Sequence, residues 1–302
     1  MVLIGKKFGR LANRLWIFSF FAANAMHHGH TLINRNFDQY NRYFEATRKN
    51  NFAPYPIRSK FSRWALFDIP AYWLMLLCIA ILKKLPDENF FYRIIRAPRT
   101  EEGFDLNRTD FLQAAGSKLV VSLDGGFWFK DHKNLQRYAP ELRRFFSPLP
   151  RYQKEVDQLI NHCRENANVV VGVHLRKGDY RTFRNGRFYF GDNIYRQKML
   201  ELEEQFKQWN KRVSFLLCSD EPIQDASFEG LRVQKGAGHM VIDLYSMAAC
   251  DFLLGPPSTF SLWASFYGKV PLQFMYPGHM DVRLDHFWVA EGINEFQRIT
   301  GH

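Results

Sequence analysis

From residue 150 onward the chain alternates between segments of helical period and short apolar runs, and this rhythm restricts the fold more than any other feature of the sequence. Val156, Leu159, Ile160 and Cys163 recur at helical spacing, and residues 169–175 follow as a nearly continuous apolar strand. Met199, Leu202, Phe206 and Trp209 mark a second helix leading into a strand at 213–218, with a short strand expected at 231–233. Residues 243–249 read as helix, 252–255 as strand, 258–267 as helix and 271–275 as strand. Such a βαβ series makes an α/β domain with a parallel, doubly wound sheet, whose ligands lie where strand C-termini feed helix N-termini. Arg176, Ser219-Asp220 and Ser258-Thr259 occupy three of those ends.

The first 35 residues begin a second layer of the same kind. Residues 2–4 read as a strand, 5–10 as a basic turn with two glycines, and 11–26 as a helix that Gly29 can terminate; 31–34 is extended again. Residues 36–115 carry many aromatics and scattered prolines without a clean period, so loops and irregular helices are expected. A strand at 118–123 runs into Asp124-Gly125-Gly126. Pro148 and Pro150 mark a boundary, and 302 residues suit two domains. We therefore expect domains at 1–147 and 148–302.

One charge-free apolar run, residues 71–82, is shorter than the roughly 20 residues that span a bilayer. A helix buried in the core is the first reading. Contact with a membrane surface is the second, because Arg58, Lys60, Arg63, Lys83 and Lys84 flank the run and suit anionic headgroups.

A net charge of +11, from 41 Lys and Arg against 30 Asp and Glu, fits a partner rich in phosphates, an anionic membrane or nucleic acid. No dense basic block, zinc-finger spacing or aromatic-basic signature is present, so nucleic acid is not an expected partner. Cys78, Cys163, Cys218 and Cys250 lie far apart inside apolar runs and read as core residues in a reducing compartment. The opening residues read as neither signal peptide nor anchor, so a cytoplasmic location is expected, with the inner membrane surface as the place of any peripheral contact.

Three segments carry chemistry. His174-Leu175-Arg176-Lys177-Gly178-Asp179 sits where a strand meets a loop; the Arg176 guanidinium there can hold a diphosphate bidentately, with Asp179 orienting it and His174 on the same strand face. A plain strand-end ion pair is the other reading. Gly9, Arg10 and Asn13 belong to a helix-opening turn whose N–H groups suit an anionic oxygen, although many ordinary turns look alike. Ser258, Thr259 and Phe260 open a helix, either as an ordinary N-cap or as a third anion site. No Asp-x-Asp pair is present, so no metal is expected on the diphosphate. His174, Asp179 and Asp124 are the candidate general bases. His27, His28 and His30 read as a helix end, and residues 181–187 as a hairpin around Asn185-Gly186.

Taken in order, these segments resemble the fucosyltransferase superfamily that includes the α-1,2-fucosyltransferases and the protein O-fucosyltransferases. Residues 9–14 are similar to its N-terminal glycine-rich turn, 122–128 to the Gly-Tyr-aromatic segment of the α-1,2 enzymes, and 174–179 to its His-x-Arg-Arg-x-Asp motif. The stretch from Asp243 to Ser246 and on through Ser258-Thr259-Phe260-Ser261-Leu262-Trp263 is similar to its C-terminal block. Ala12, Arg14 and Lys177 depart from the pattern.

The resemblance implies a GT-B-like architecture of two facing Rossmann-like domains, the first on the acceptor side and the second binding a nucleotide sugar. It implies an inverting, metal-independent transfer of fucose from GDP-fucose to a glycan hydroxyl. Arg176 and His174 would serve the diphosphate and catalysis, Ser258, Thr259 and Phe260 the phosphates, Asp243 the nucleoside, and Asn13 the donor from the first domain. Asp220, at its strand end, joins the expected donor site. A non-catalytic sugar-nucleotide or glycan-binding protein on the same fold is the competing reading.

Overall fold

The computed structural model describes residues 1–302 except Glu101, Gly125 and His302, and all described side chains except that of Phe127. The chain divides into two units, Met1–Leu149 and Pro150–Gly301.

The first unit opens on strand β1 (Val2–Ile4), which enters helix α1 (Leu11–His28) through a turn. Helix α1 is buried on nearly every side from Leu11 to Met26, so its apolar sequence lacks a polar face because none meets water. Gly29, at φ 75°, ends it and donates its N–H to the Ala25 carbonyl. Then come β2 (Leu32–Ile33), α2 (Glu45–Lys49), β3 (Ile57–Arg58), α3 (Ala65–Leu82), β4 (Tyr92–Arg96), β5 (Phe104–Asp105) and α4 (Thr109–Ser117). Strand β6 (Leu119–Asp124), β7 (Phe129–Lys130), α5 (His132–Arg137) and α6 (Ala139–Phe145) complete the unit. Its main sheet is parallel, in the order β3-β2-β1-β6-β4. Part of the glycine-aromatic segment at 122–128, namely Gly125 and the Phe127 side chain, lies outside the described residues.

Helix α3 corrects the core-helix expectation. It begins at Ala65, six residues before the charge-free run, and passes through Pro70. Only Asp68, Met75 and Ile79 are buried. Met75 and Ile79, with the half-buried Tyr72, Leu76 and Leu82, form one stripe against Leu3, Ile33, Ile94, Val121 and Leu123 on the sheet. A helix laid on one sheet face buries one stripe, and the rest of this apolar surface faces solvent. Cys78, expected in the core, is exposed on it, whereas Cys163, Cys218 and Cys250 are buried.

The second unit follows the sequence rhythm closely. Helix α7 (Pro150–Arg164) leads to β8 (Val169–Leu175), α8 (Asp192–Gln208), β9 (Val213–Ser219) and β10 (Val233–Lys235). Next are α9 (Met240–Met247), β11 (Phe252–Gly255), α10 (Thr259–Gly268), β12 (Leu272–Phe274) and α11 (Asn294–Thr300). The sheet is parallel, in the order β10-β9-β8-β11-β12. Strand β8 lies in the middle and is buried on both faces, which is why its sequence does not alternate. Residues 181–187 are not a hairpin. Arg184, Asn185 and Gly186 do take positive φ as the Asn-Gly signal suggests, but they join short 3-10 turns and not strands.

Candidate active site

Arg176 follows the C-terminal end of β8 and lies between two carboxylates. Its Nη1 donates to Asp220 Oδ2 at 2.6 Å, and its Nη2 lies 2.7 Å from Asp179 Oδ1. Asp220 comes from the loop after β9, and its other oxygen accepts the Lys177 backbone N–H at 2.9 Å. Under the guanidinium lies the Tyr180 ring, 5.2 Å away. The Tyr180 hydroxyl donates to the Pro257 carbonyl at 2.5 Å, which ties the Arg176 loop to the turn before α10. The Arg176 side chain is 15% exposed, so this cation is mostly buried yet presents an edge.

His174, two residues earlier, is buried beside the same turn. Its ring packs on Phe260 with centroids 5.1 Å apart, and its Nδ1 lies 3.5 Å from Ser261 Oγ. Burial, and then the Arg176 charge, push its pKa down to about 3, so the imidazole is neutral at physiological pH. Gly255 permits this packing: a Cβ there would stand 2.8 Å from the His174 carbonyl oxygen. Ser258 caps α10, its Oγ accepting the Phe260 N–H at 3.2 Å, and Thr259 begins the helix. Arg176, His174, Asp179, Asp220, Ser258, Thr259 and Phe260 thus gather at the C-terminal ends of the adjacent strands β8, β9 and β11.

Asp243 stands in the first turn of α9. Its carboxylate accepts the Ala237 N–H at 2.7 Å, and a Cβ on Gly236 would come within 2.7 Å of it. Burial raises its pKa to about 6 against the pull of the Ala237 and Gly238 amides.

Gly9, Arg10 and Asn13 assemble in the first unit, where β1 turns into α1. Gly9 has φ 59°, and a Cβ there would overlap the Asn13 side chain. Arg14 holds the turn: its Nε donates to the Gly9 carbonyl and its Nη1 to the Asn36 carbonyl, each at 3.1 Å. Arg10 is exposed and supplies no side-chain cap to α1. Asp124, a candidate base, is instead ion-paired with Lys6 at 2.6 Å and Arg96 at 3.1 Å. Lys6 above all holds its carboxyl below the usual range.

The sequence reading missed Tyr180, Tyr195 and the pairing of Lys177 with Asp192. Lys177 is buried and its ammonium is bound to Asp192. Tyr180 and Tyr195 are buried beside Arg176, and burial raises both phenol pKa values. Tyr180 was within reach, being next to Asp179; the Lys177–Asp192 pair spans 15 positions and left no local signal. Among the described residues no group of three or more His, Cys, Asp or Glu is placed to hold a metal ion.

No protein-family model and no curated protein matches the sequence. Solved structures do. A mutant of Arabidopsis thaliana FUT1 in complex with GDP aligns with a TM-score of 0.57 at 11% identity, over 95% of this chain and 73% of that one. POFUT1 in complex with GDP-fucose gives 0.55 at 14% identity, over 90% of this chain and 97% of that one. Fucosyltransferase NodZ from Bradyrhizobium gives 0.53 at 16% identity, over 92% and 96%. Over nine-tenths or more of its length, this chain has the α/β fold of these fucosyltransferases.

Proposed function

We propose that the protein is a fucosyltransferase that moves fucose from GDP-fucose to a glycan hydroxyl, with inversion and without a metal ion, in the manner of the α-1,2-fucosyltransferases. The observation that carries the reading is Arg176, held by Asp179 and Asp220 beside the N-terminus of α10. A cation and the N-terminus of a helix at one strand end suit a diphosphate. The second unit, 148–302, is the donor domain in this reading and the first, 1–147, the acceptor side.

The acceptor oxygen attacks the anomeric carbon as the bond from that carbon to the β-phosphate oxygen breaks, and the bonding electrons leave with GDP. Arg176 offsets the charge that develops there, held in place before the reaction begins. His174, neutral and buried, positions the turn of α10. Asp179 is assigned the acceptor proton: its side chain is 52% exposed, whereas both Asp220 oxygens are occupied. Asp243 accepts the N–H groups of the guanine. The protein works in the cytoplasm.

The deciding experiment is calorimetry with GDP-fucose, GDP-mannose and UDP-sugars, followed by turnover on a glycan panel. Preference for GDP-fucose with transfer supports the reading. Preference for UDP-sugars overturns the donor, and tight binding without transfer or hydrolysis favours a sugar-nucleotide-binding protein.

A further inference from the structure

Helix α3 presents an apolar face that no other part of its unit covers. It is 18 residues long, about 27 Å at the rise of an α-helix. One stripe holds it to the sheet; the opposite side carries Leu66, Phe67, Trp73, Leu74, Leu77 and Ile81, all exposed, with Trp73 at 65% and Leu77 at 59%. Phe90 and Phe91, in the segment after the helix, are also exposed, Phe90 at 83%. A soluble protein rarely leaves so long an apolar strip in water without a use for it.

The charges around the strip indicate its occupant. Arg63 precedes the helix and Lys83 and Lys84 follow it; all three are exposed, and none has an ion-pair partner among the described residues. The acids nearby are engaged: Asp68 is buried against Arg35, Asp87 meets Arg96, and Glu88 meets Lys118. A strip rimmed at both ends by free cations, with tryptophans at Trp64 and Trp73, matches an anionic lipid surface, where indole rings sit at headgroup level and Lys and Arg meet phosphates. Because one stripe stays on the sheet, the helix lies in the interface and does not cross it.

We propose that α3 and Phe90-Phe91 dock the protein on an anionic bilayer, with α3 parallel to the surface. The proposal does not depend on the donor or the reaction. It places the acceptor-side unit of the preceding section at a lipid face, which fits a glycan acceptor carried on lipid.

The test is flotation of the full chain with phosphatidylcholine vesicles and with vesicles containing one third phosphatidylglycerol. Binding to the anionic vesicles, weakened by salt, is expected. Leu74→Glu with Leu77→Glu should abolish it, and Lys83→Gln with Lys84→Gln should weaken it by about tenfold or more. GDP-fucose binding and the melting temperature of each variant serve as controls and should not move, since these side chains are exposed. No binding to anionic vesicles by the folded wild type overturns the proposal. So does binding that survives Leu74→Glu with Leu77→Glu, or a dimer in light scattering that those changes dissolve, which would assign the strip to a second copy.

Discussion

Asp220 grips Arg176 and its loop at once: Oδ2 accepts from the guanidinium Nη1 and Oδ1 from the backbone N–H of Lys177. One carboxylate after β9 thereby fixes both the cation and the exit path of β8. Pre-set orientation of a charge is what lets it act on a transition state without reorganising. Replacing Arg176 by Ala should lower kcat by about a hundredfold to a thousandfold, the range for loss of a preorganised stabiliser, while circular dichroism shows a folded protein. Asp220→Asn keeps the cation but loosens it, and should cost about ten- to a hundredfold in kcat with little change in KM. Retention of most activity by Arg176→Ala would remove it from the chemistry.

If Asp243 meets the nucleoside as proposed, it gives donor binding a pH dependence. Its pKa is raised to about 6, so below that pH the carboxyl is protonated. In the unliganded protein this group alone disfavours the folded state as pH rises from about 4 to 6, because the ionised form is the one burial penalises. A guanine offers N–H donors and selects the carboxylate. GDP-fucose affinity should therefore fall as pH drops below about 6, by roughly tenfold per unit at the limit. The sugar nucleotide is the right probe because its diphosphate is doubly esterified and does not titrate there. Calorimetry of Asp243→Asn should give weak binding without that slope.

The difference between the two units shows what a sequence makes legible. Strand β8 was readable to the residue because a central parallel strand is buried on both faces and writes an unbroken apolar run. Strand β2, two residues long, was legible only as part of the extended stretch 31–34, and β3, also two residues, is too short to express any period inside the aromatic-rich segment around it. Helix α3 was visible as apolar, but an apolar run carries no mark of what covers it, and burial in a core was the wrong cover. The placement of Arg176 after a strand and of Ser258 at a helix start was legible because strand ends and helix starts are local. The grip of Asp220 on Arg176 crosses 44 positions, and Asp220 therefore read as a donor ligand and not as a holder of Arg176.

His174 supplies a contrasting expectation. With a pKa pushed down to about 3 against an ordinary 6.5, it costs stability as pH falls below 6.5, where the unfolded chain takes up a proton that the fold refuses. It does not titrate between pH 5 and 8, so the pH–rate profile of His174→Gln should keep the wild-type shape even as its height falls. Loss of a limb of the profile in that variant would make His174 the proton acceptor.

Lys177 and Asp192 form a largely buried pair at the exit of β8. Their side chains are 10% and 18% exposed, and the ammonium and carboxylate are bound to each other. A pair this deep is costly to break on one side, because the remaining charge is left buried without a partner. Lys177→Ala should therefore destabilise the protein by about 3 kcal/mol, seen as a shift of the urea midpoint. Lys177→Met with Asp192→Leu removes both charges and should recover most of that loss. If Lys177 served the donor phosphates instead, the double variant would be stable yet lose GDP-fucose affinity. Unchanged affinity in that stable double variant is the expected result, and it would leave Arg176 as the cation of this motif that meets the diphosphate.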